Sequence, residues 1–175
     1  WDVVNFHDAF LANLGTNWQF HEQYELQGNT EKIQQYVQQR NGKSSHWCVK
    51  DPRACLFLND WEHVLGENGY YLFIVRHWSS CIESLLHRHS REIAHKMPEL
   101  SVDNTDYQFW LKSELAANMW LTYNKRILEF IRKNRGKVLL VTQRALFEGA
   151  PILEFLNDRF AFKLNTNINS PLDVE

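Results

Sequence analysis

The sequence predicts an α/β protein in which helices pack on a parallel sheet. Two continuous apolar runs, Tyr70-Tyr71-Leu72-Phe73-Ile74-Val75 and Val138-Leu139-Leu140-Val141, read as buried strands. Long stretches of helical periodicity separate them, and strands joined through helices pair in parallel by crossover connections.

Taken in order, Val3, Phe6 and Phe10, with Val4, Leu11 and Leu14, recur at helical spacing until Gly15. Thr30 to Asn41 repeats the pattern through Ile33, Tyr36 and Val37 and stops at Gly42. His46 to Lys50 is predicted as the first strand, closed by Asp51-Pro52-Arg53, where proline cannot continue a ladder. A short helix is expected near Asn59 to Gly66, followed by the strand Tyr70 to Val75. Ser80 with Glu83 three residues on has the capping-box pattern, and the helix it opens carries Ile82, Leu85, Leu86 and Ile93 as its apolar stripe. Pro98 to Asp106 is a polar break. One long helix is predicted from about Tyr107 to Asn134, striped by Leu111, Leu115, Met119, Tyr123 and Ile127. Lys137 to Thr142 is the third strand, and a last helix spans Pro151 to Asn157. Three strands make a thin sheet and two helices precede it, so the expectation is an α/β domain whose opening strand and loop lie upstream of Trp1.

At 175 residues and 44% hydrophobic content, the chain is expected to form one domain with a full core. Nineteen basic and twenty-one acidic side chains give a formal charge of −2, so no overall positive field recruits nucleic acid or an anionic membrane. Cys48, Cys55 and Cys81 are odd in number and lack C-x-x-C spacing, which points to reduced, packed thiols and a cytoplasmic protein. No apolar run approaches the roughly 20 residues of a membrane span.

Local chemistry is most informative where Tyr70 to Val75 runs into Arg76. The carboxyl edge of a parallel sheet is where such folds bind ligands, and a following helix adds unpaired N–H groups and a partial positive charge. With Ser84 placed one turn above the predicted cap, guanidinium, hydroxyl and helix end are expected to converge on one phosphate.

Several stretches, in order, resemble the sulfotransferases that use 3′-phosphoadenosine 5′-phosphosulfate (PAPS), notably their glycan- and protein-modifying branches. Asp2 to Leu11 with Trp18 is similar to the helix after the donor loop, and Trp47-Cys48-Val49-Lys50-Asp51-Pro52-Arg53 resembles the Lys-Asp-Pro strand end. Arg76 with Ser84 eight residues later matches the 3′-phosphate clamp, and Lys137 to Leu146 resembles the segment that closes the nucleotide site. The resemblance covers about residues 1 to 160. It implies a P-loop-NTPase-like sulfotransferase architecture lacking its first strand and loop, with PAPS or its bisphosphate product bound at Arg76 and Ser84. It implies a catalytic role for Lys50, whose counterpart in the protein-tyrosine branch is implicated in charge stabilisation. The partners implied are the nucleotide donor and a hydroxyl or amine acceptor on a glycan, a protein or a small metabolite.

The departures are specific. The Gly/Ser/Thr-rich loop that cradles the 5′-phosphosulfate is absent, Trp78 stands where a proline is common, and Gln143-Arg144 replaces a Tyr-Glu pair. The C-terminal third phosphate contact has only Lys163 as a candidate. His7 and Asp8 are the nearest candidates for a general base, and Asp51 is expected to pair with Arg53 and hold the turn. His87 and His89 point roughly 200° apart on a helix, which disfavours a shared metal. Of the seven tryptophans, Trp47, Trp110 and Trp120 are expected in the core, with Trp18 and Trp78 better placed for a ligand. Two other readings stay open: a non-catalytic relative that binds adenosine 3′,5′-bisphosphate, and a helix-rich interaction domain in which the Arg76 and Ser84 spacing is accidental.

Overall fold

The opening apolar repeat folds as α1 (Asp2–Asn13), which buries Val3, His7, Phe10 and Leu11 along one stripe. Its end is a Schellman turn: Gly15 takes φ +70°, its N–H donates to the Ala12 carbonyl at 3.0 Å, and the Thr16 N–H donates to Leu11 at 2.9 Å. The computed structural model from which these features come describes residues 2–96 and 105–167. α2 (Thr30–Asn41) has the predicted bounds, because the Asn29 side chain accepts from the Lys32 N–H and fixes its start. Ile33, Tyr36 and Val37 are its buried face.

His46 to Lys50 is not a strand. The segment has the alternation of one, with Trp47 and Val49 packed on the core and His46, Cys48 and Lys50 exposed, yet no neighbour supplies a ladder. Period-two burial is satisfied here by an extended chain lying on helices, with the Trp47 indole donating to Asn41 Oδ1 at 2.8 Å. A 3₁₀ segment, Pro52–Phe57, then leads into α3 (Leu58–Leu65).

β1 (Tyr71–Val75) pairs in parallel with β2 (Val138–Thr142), Tyr71 opposite Val138 and Val75 opposite Thr142. The sheet therefore has two strands among the described residues, against three predicted, and the protein is mixed α/β but mostly helical. Glu62 at the end of α3 ties the amino ends of both strands: it accepts from the Tyr71 hydroxyl at 2.9 Å and from Lys137 Nζ at 2.7 Å. The same Lys137 ammonium donates to the Gly66 carbonyl at 2.8 Å.

Between the strands run α4 (Trp78–Lys96), α5 (Thr105–Leu111) and α6 (Ser113–Lys133). α4 begins two residues ahead of Ser80, so no capping box forms; the Cys81 N–H donates to the His77 carbonyl at 3.0 Å instead. The predicted single helix over 107–134 is two helices, because Lys112 leaves helical geometry at φ −122°, ψ 84°. The break lets α5 press the fully buried Phe109 against His89 of α4 while α6 keeps its own stripe, Ala116, Tyr123, Ile127 and Phe130, toward the core. Most of the predicted Pro98 to Asp106 break lies outside the described residues. After β2 come α7 (Gln143–Phe147), capped by Thr142 accepting from the Ala145 N–H, and α8 (Ile152–Phe160). α8 outruns its predicted end and stops where Ala161 turns left-handed at φ 54°.

Two apolar clusters hold the fold. One joins α1, α2 and α3 through Phe10, Leu11, Ile33, Tyr36, Phe57 and Trp61. The other lies beneath the sheet, where Phe130 meets Tyr71 edge-on at 4.7 Å and packs with Phe73 and Val138. No helix among the described residues is long and apolar enough to cross a membrane.

Candidate functional site

β1 delivers Arg76 at the carboxyl edge of the sheet, directly ahead of α4. The Trp120 indole of α6 donates to the Arg76 carbonyl at 3.2 Å and pins the backbone there. In its side chain, Nε is shielded from solvent and lacks a hydrogen-bond partner among the described residues. A shielded guanidinium N–H without a partner is costly. Ser84 is exposed in the second turn of α4, further along than the capping-box pattern implied. No hydrogen bond or ion pair joins Arg76, Ser84 and Lys50 to one another among the described residues. Cys81, between Arg76 and Ser84 in sequence, has its thiol pushed above the ordinary value by burial, against the opposing charges of Arg76 and Arg88.

Lys50 is exposed at the end of the extended segment. The next residue turns inward. Asp51, with a side chain fully shielded from solvent, meets His7 Nδ1 at 2.7 Å. The Trp61 indole, which can only donate, reaches His7 Nε2 at 3.0 Å. His7 must therefore accept at Nε2 and carry its proton on Nδ1, from which it donates to Asp51. Phe57 stacks on the same imidazole at 5.8 Å and 7°. With both nitrogens engaged and no exposed surface, His7 is removed from the list of general-base candidates.

Asp51 also accepts from the Arg53 backbone N–H at 3.2 Å and from Arg53 Nη1 at 3.0 Å, so the expected turn-holding pair is present. Burial raises the Asp51 carboxyl, but the bonds from His7 and Arg53 outweigh it and hold the group below its ordinary value. Arg53 reaches on to Asp8 of α1, Nε to Oδ1 at 2.6 Å, off the hydrogen-bond direction. Asp8 is thereby committed to an ion pair. The Lys50 to Arg53 turn is thus bolted to α1 by side chains 44 residues apart, an arrangement that spacing along the chain does not signal.

The remaining candidates divide. Trp18 stacks on His89 at 5.7 Å and 9°, a packing role rather than the ligand contact expected of it. Trp78 is 53% exposed, and Trp110, expected in the core, is 47% exposed. His87 is exposed and His89 buried, as their helical separation requires. Lys163 is exposed in the segment after α8. Arg144 pairs with Glu148 at 2.7 Å on the surface. All three cysteines are free; Cys48 is exposed rather than packed, while the Cys55 thiol is pushed up to about 12 by burial, with the Asp51 charge adding to it. Among the described residues no three His, Cys, Asp or Glu side chains gather as a metal site.

No family model, curated protein or solved structure matches this chain.

Proposed function

We propose that this chain is a PAPS-dependent sulfotransferase domain of P-loop-NTPase-like architecture. The observation that carries the reading is Arg76: a guanidinium with a shielded, unbonded Nε, released from the carboxyl edge of a parallel sheet beside a helix that presents Ser84. Those are the elements that a ribose 3′-phosphate needs, a bidentate cationic fork and a short hydroxyl donor. The bolted Lys50 to Arg53 turn supports it further, because Asp51 and Arg53 are consumed in fixing the backbone and leave Lys50 as the one exposed charged side chain of the four-residue turn.

In the transfer, the acceptor oxygen or nitrogen attacks sulfur, the bond from sulfur to the bridging oxygen of the 5′-phosphate breaks, and the acceptor proton is released. Charge builds on the bridging oxygen as that bond loosens, and an ammonium at Lys50 would lower the barrier by meeting it. Arg76 and Ser84 would hold the opposite end of the nucleotide and turn a bimolecular encounter into a positioned one. Nothing in this chain matches the Gly/Ser/Thr-rich cradle for the 5′-phosphosulfate.

Calorimetric titration of adenosine 3′,5′-bisphosphate tests the clamp. The wild type should bind, and Arg76→Ala should bind about tenfold to a hundredfold more weakly, the loss of about 1.5 to 3 kcal/mol that a charge-assisted hydrogen bond represents. Equal affinity in the two proteins would remove the clamp and leave a helix-rich interaction domain. Sulfuryl transfer from radiolabelled donor to hydroxyl and amine acceptors tests turnover, where Lys50→Ala should depress rate far more than bisphosphate affinity. A chain that holds the bisphosphate tightly but sulfates nothing is the binding-only relative.

A further inference from the structure

We propose that the groove between the start of α4 and α5 binds a neutral oligosaccharide chain. The groove is shallow and open to solvent, with a volume of about 440 Å³. Trp78 and Trp110 line it from different helices, each about half exposed, although an indole is among the most strongly buried side chains on average. Ile82 and Leu86 continue the line of Trp78 at successive four-residue steps, so the apolar lining runs about 12 Å along the helix. That is the shape for a chain passing through rather than for a compact molecule.

The lining also selects its occupant. A pyranose ring offers an apolar C–H face edged by hydroxyl groups, which is matched by an indole face with hydrogen-bonding groups beside it. Glu83 and His87 stand one helical turn apart in the groove, and neither side chain is engaged by a hydrogen bond or ion pair among the described residues. The carboxylate would accept from sugar hydroxyls, and it repels a sulfated chain or nucleic acid. The basic side chains Arg88 and Arg91 belong to α4 but do not line the groove. Neither indole N–H is bonded within the described residues, which leaves two further donors at the rim. None of this depends on the nucleotide reading, because neither Arg76 nor Ser84 lines the groove. Where both hold, the saccharide is the acceptor class.

The test uses the full chain with chitohexaose and cellohexaose, and a heparin octasaccharide as the charged contrast. Indole N–H resonances, assigned with Trp78→Phe and Trp110→Phe, should shift for these two tryptophans when a neutral hexasaccharide is added. Calorimetry should show Trp78→Ala and Trp110→Ala each weakening binding by about tenfold, the scale of one lost aromatic stacking contact. Far-UV circular dichroism and thermal unfolding of the same samples should match the wild type, which shows that the variants are folded whether or not the chain binds the bisphosphate and keeps the clamp and the groove separable. Neutral saccharides that move neither indole resonance would overturn the proposal, as would affinities unaltered in the double alanine variant. Binding confined to heparin, salt-sensitive and indifferent to the tryptophans, would overturn it in favour of plain charge attraction to Arg88 and Arg91.

Discussion

His7 is the residue on which the amino-terminal half turns. Its imidazole accepts from one core side chain and donates to another, so its proton sits where the fold requires it and nowhere useful for catalysis. Removing Asp51 strands the His7 Nδ1–H and one arm of Arg53 in a dry site, and Asp51→Ala should cost on the order of 3 kcal/mol in denaturant unfolding. The pH dependence follows from the lowered carboxyl. Its contribution is complete above the unfolded-chain value of about 3.9 and is lost as pH falls through the lower native value. Wild-type stability should therefore drop steeply below about pH 4, whereas Asp51→Asn should show a shallower acid limb, measurable by urea titration across that window. Identical limbs in the two proteins would mean that Asp51 titrates no differently once folded.

Among the elements, α6 carries the longest-range ties. From three positions within little more than one turn it fastens the loop after α1: Thr122 Oγ1 donates to the His21 carbonyl at 3.2 Å, the Tyr123 hydroxyl to the Trp18 carbonyl at 2.7 Å, and Arg126 Nη2 to the Tyr24 carbonyl at 2.6 Å. Arg126 Nη1 also reaches the Leu56 carbonyl at 3.1 Å, and burial lowers its guanidinium from the ordinary value against the pull of Glu25. Arg126→Met keeps the aliphatic stem but leaves two carbonyls without their donor. It should destabilise the protein by about 1 to 3 kcal/mol, with hydrogen-exchange protection lost first in residues 17–26. Uniform loss of protection across the chain would show that the loop and the core open together.

For the whole molecule the sheet is the weak member. Two paired strands are marginal by themselves, and here Leu72, Ile74 and Leu140 are 40%, 51% and 46% exposed. Apolar strand surface beside unpaired strand edges invites pairing with another chain. Sedimentation velocity should show concentration-dependent self-association of this chain, and Ile74→Lys should shift it toward monomer without loss of helical signal. A wild type that stays monomeric at all accessible concentrations would show that the helices shield the sheet well enough.

Periodicity located α1, α2, α3, α4 and α8, because a buried stripe must recur at the pitch of the helix that carries it, and continuous apolar runs located the two paired strands; α2 and β2 stand within a residue of their predicted bounds. Arg76 at a sheet edge was legible for the same reason, since strand and helix signals adjoin there. Tertiary contacts decided the rest. The alternation of His46 to Lys50 was real, but a strand needs a neighbour, and the sequence of one segment does not say whether it has one. The break at Lys112 depends on where Phe109 finds its partner, and the environments of Trp18 and Trp110 were settled by which helix passes beside each indole. The His7–Asp51 bond forms across 44 residues only after α1 and the turn have docked, and a hydrogen bond between distant side chains leaves no periodic trace along the chain.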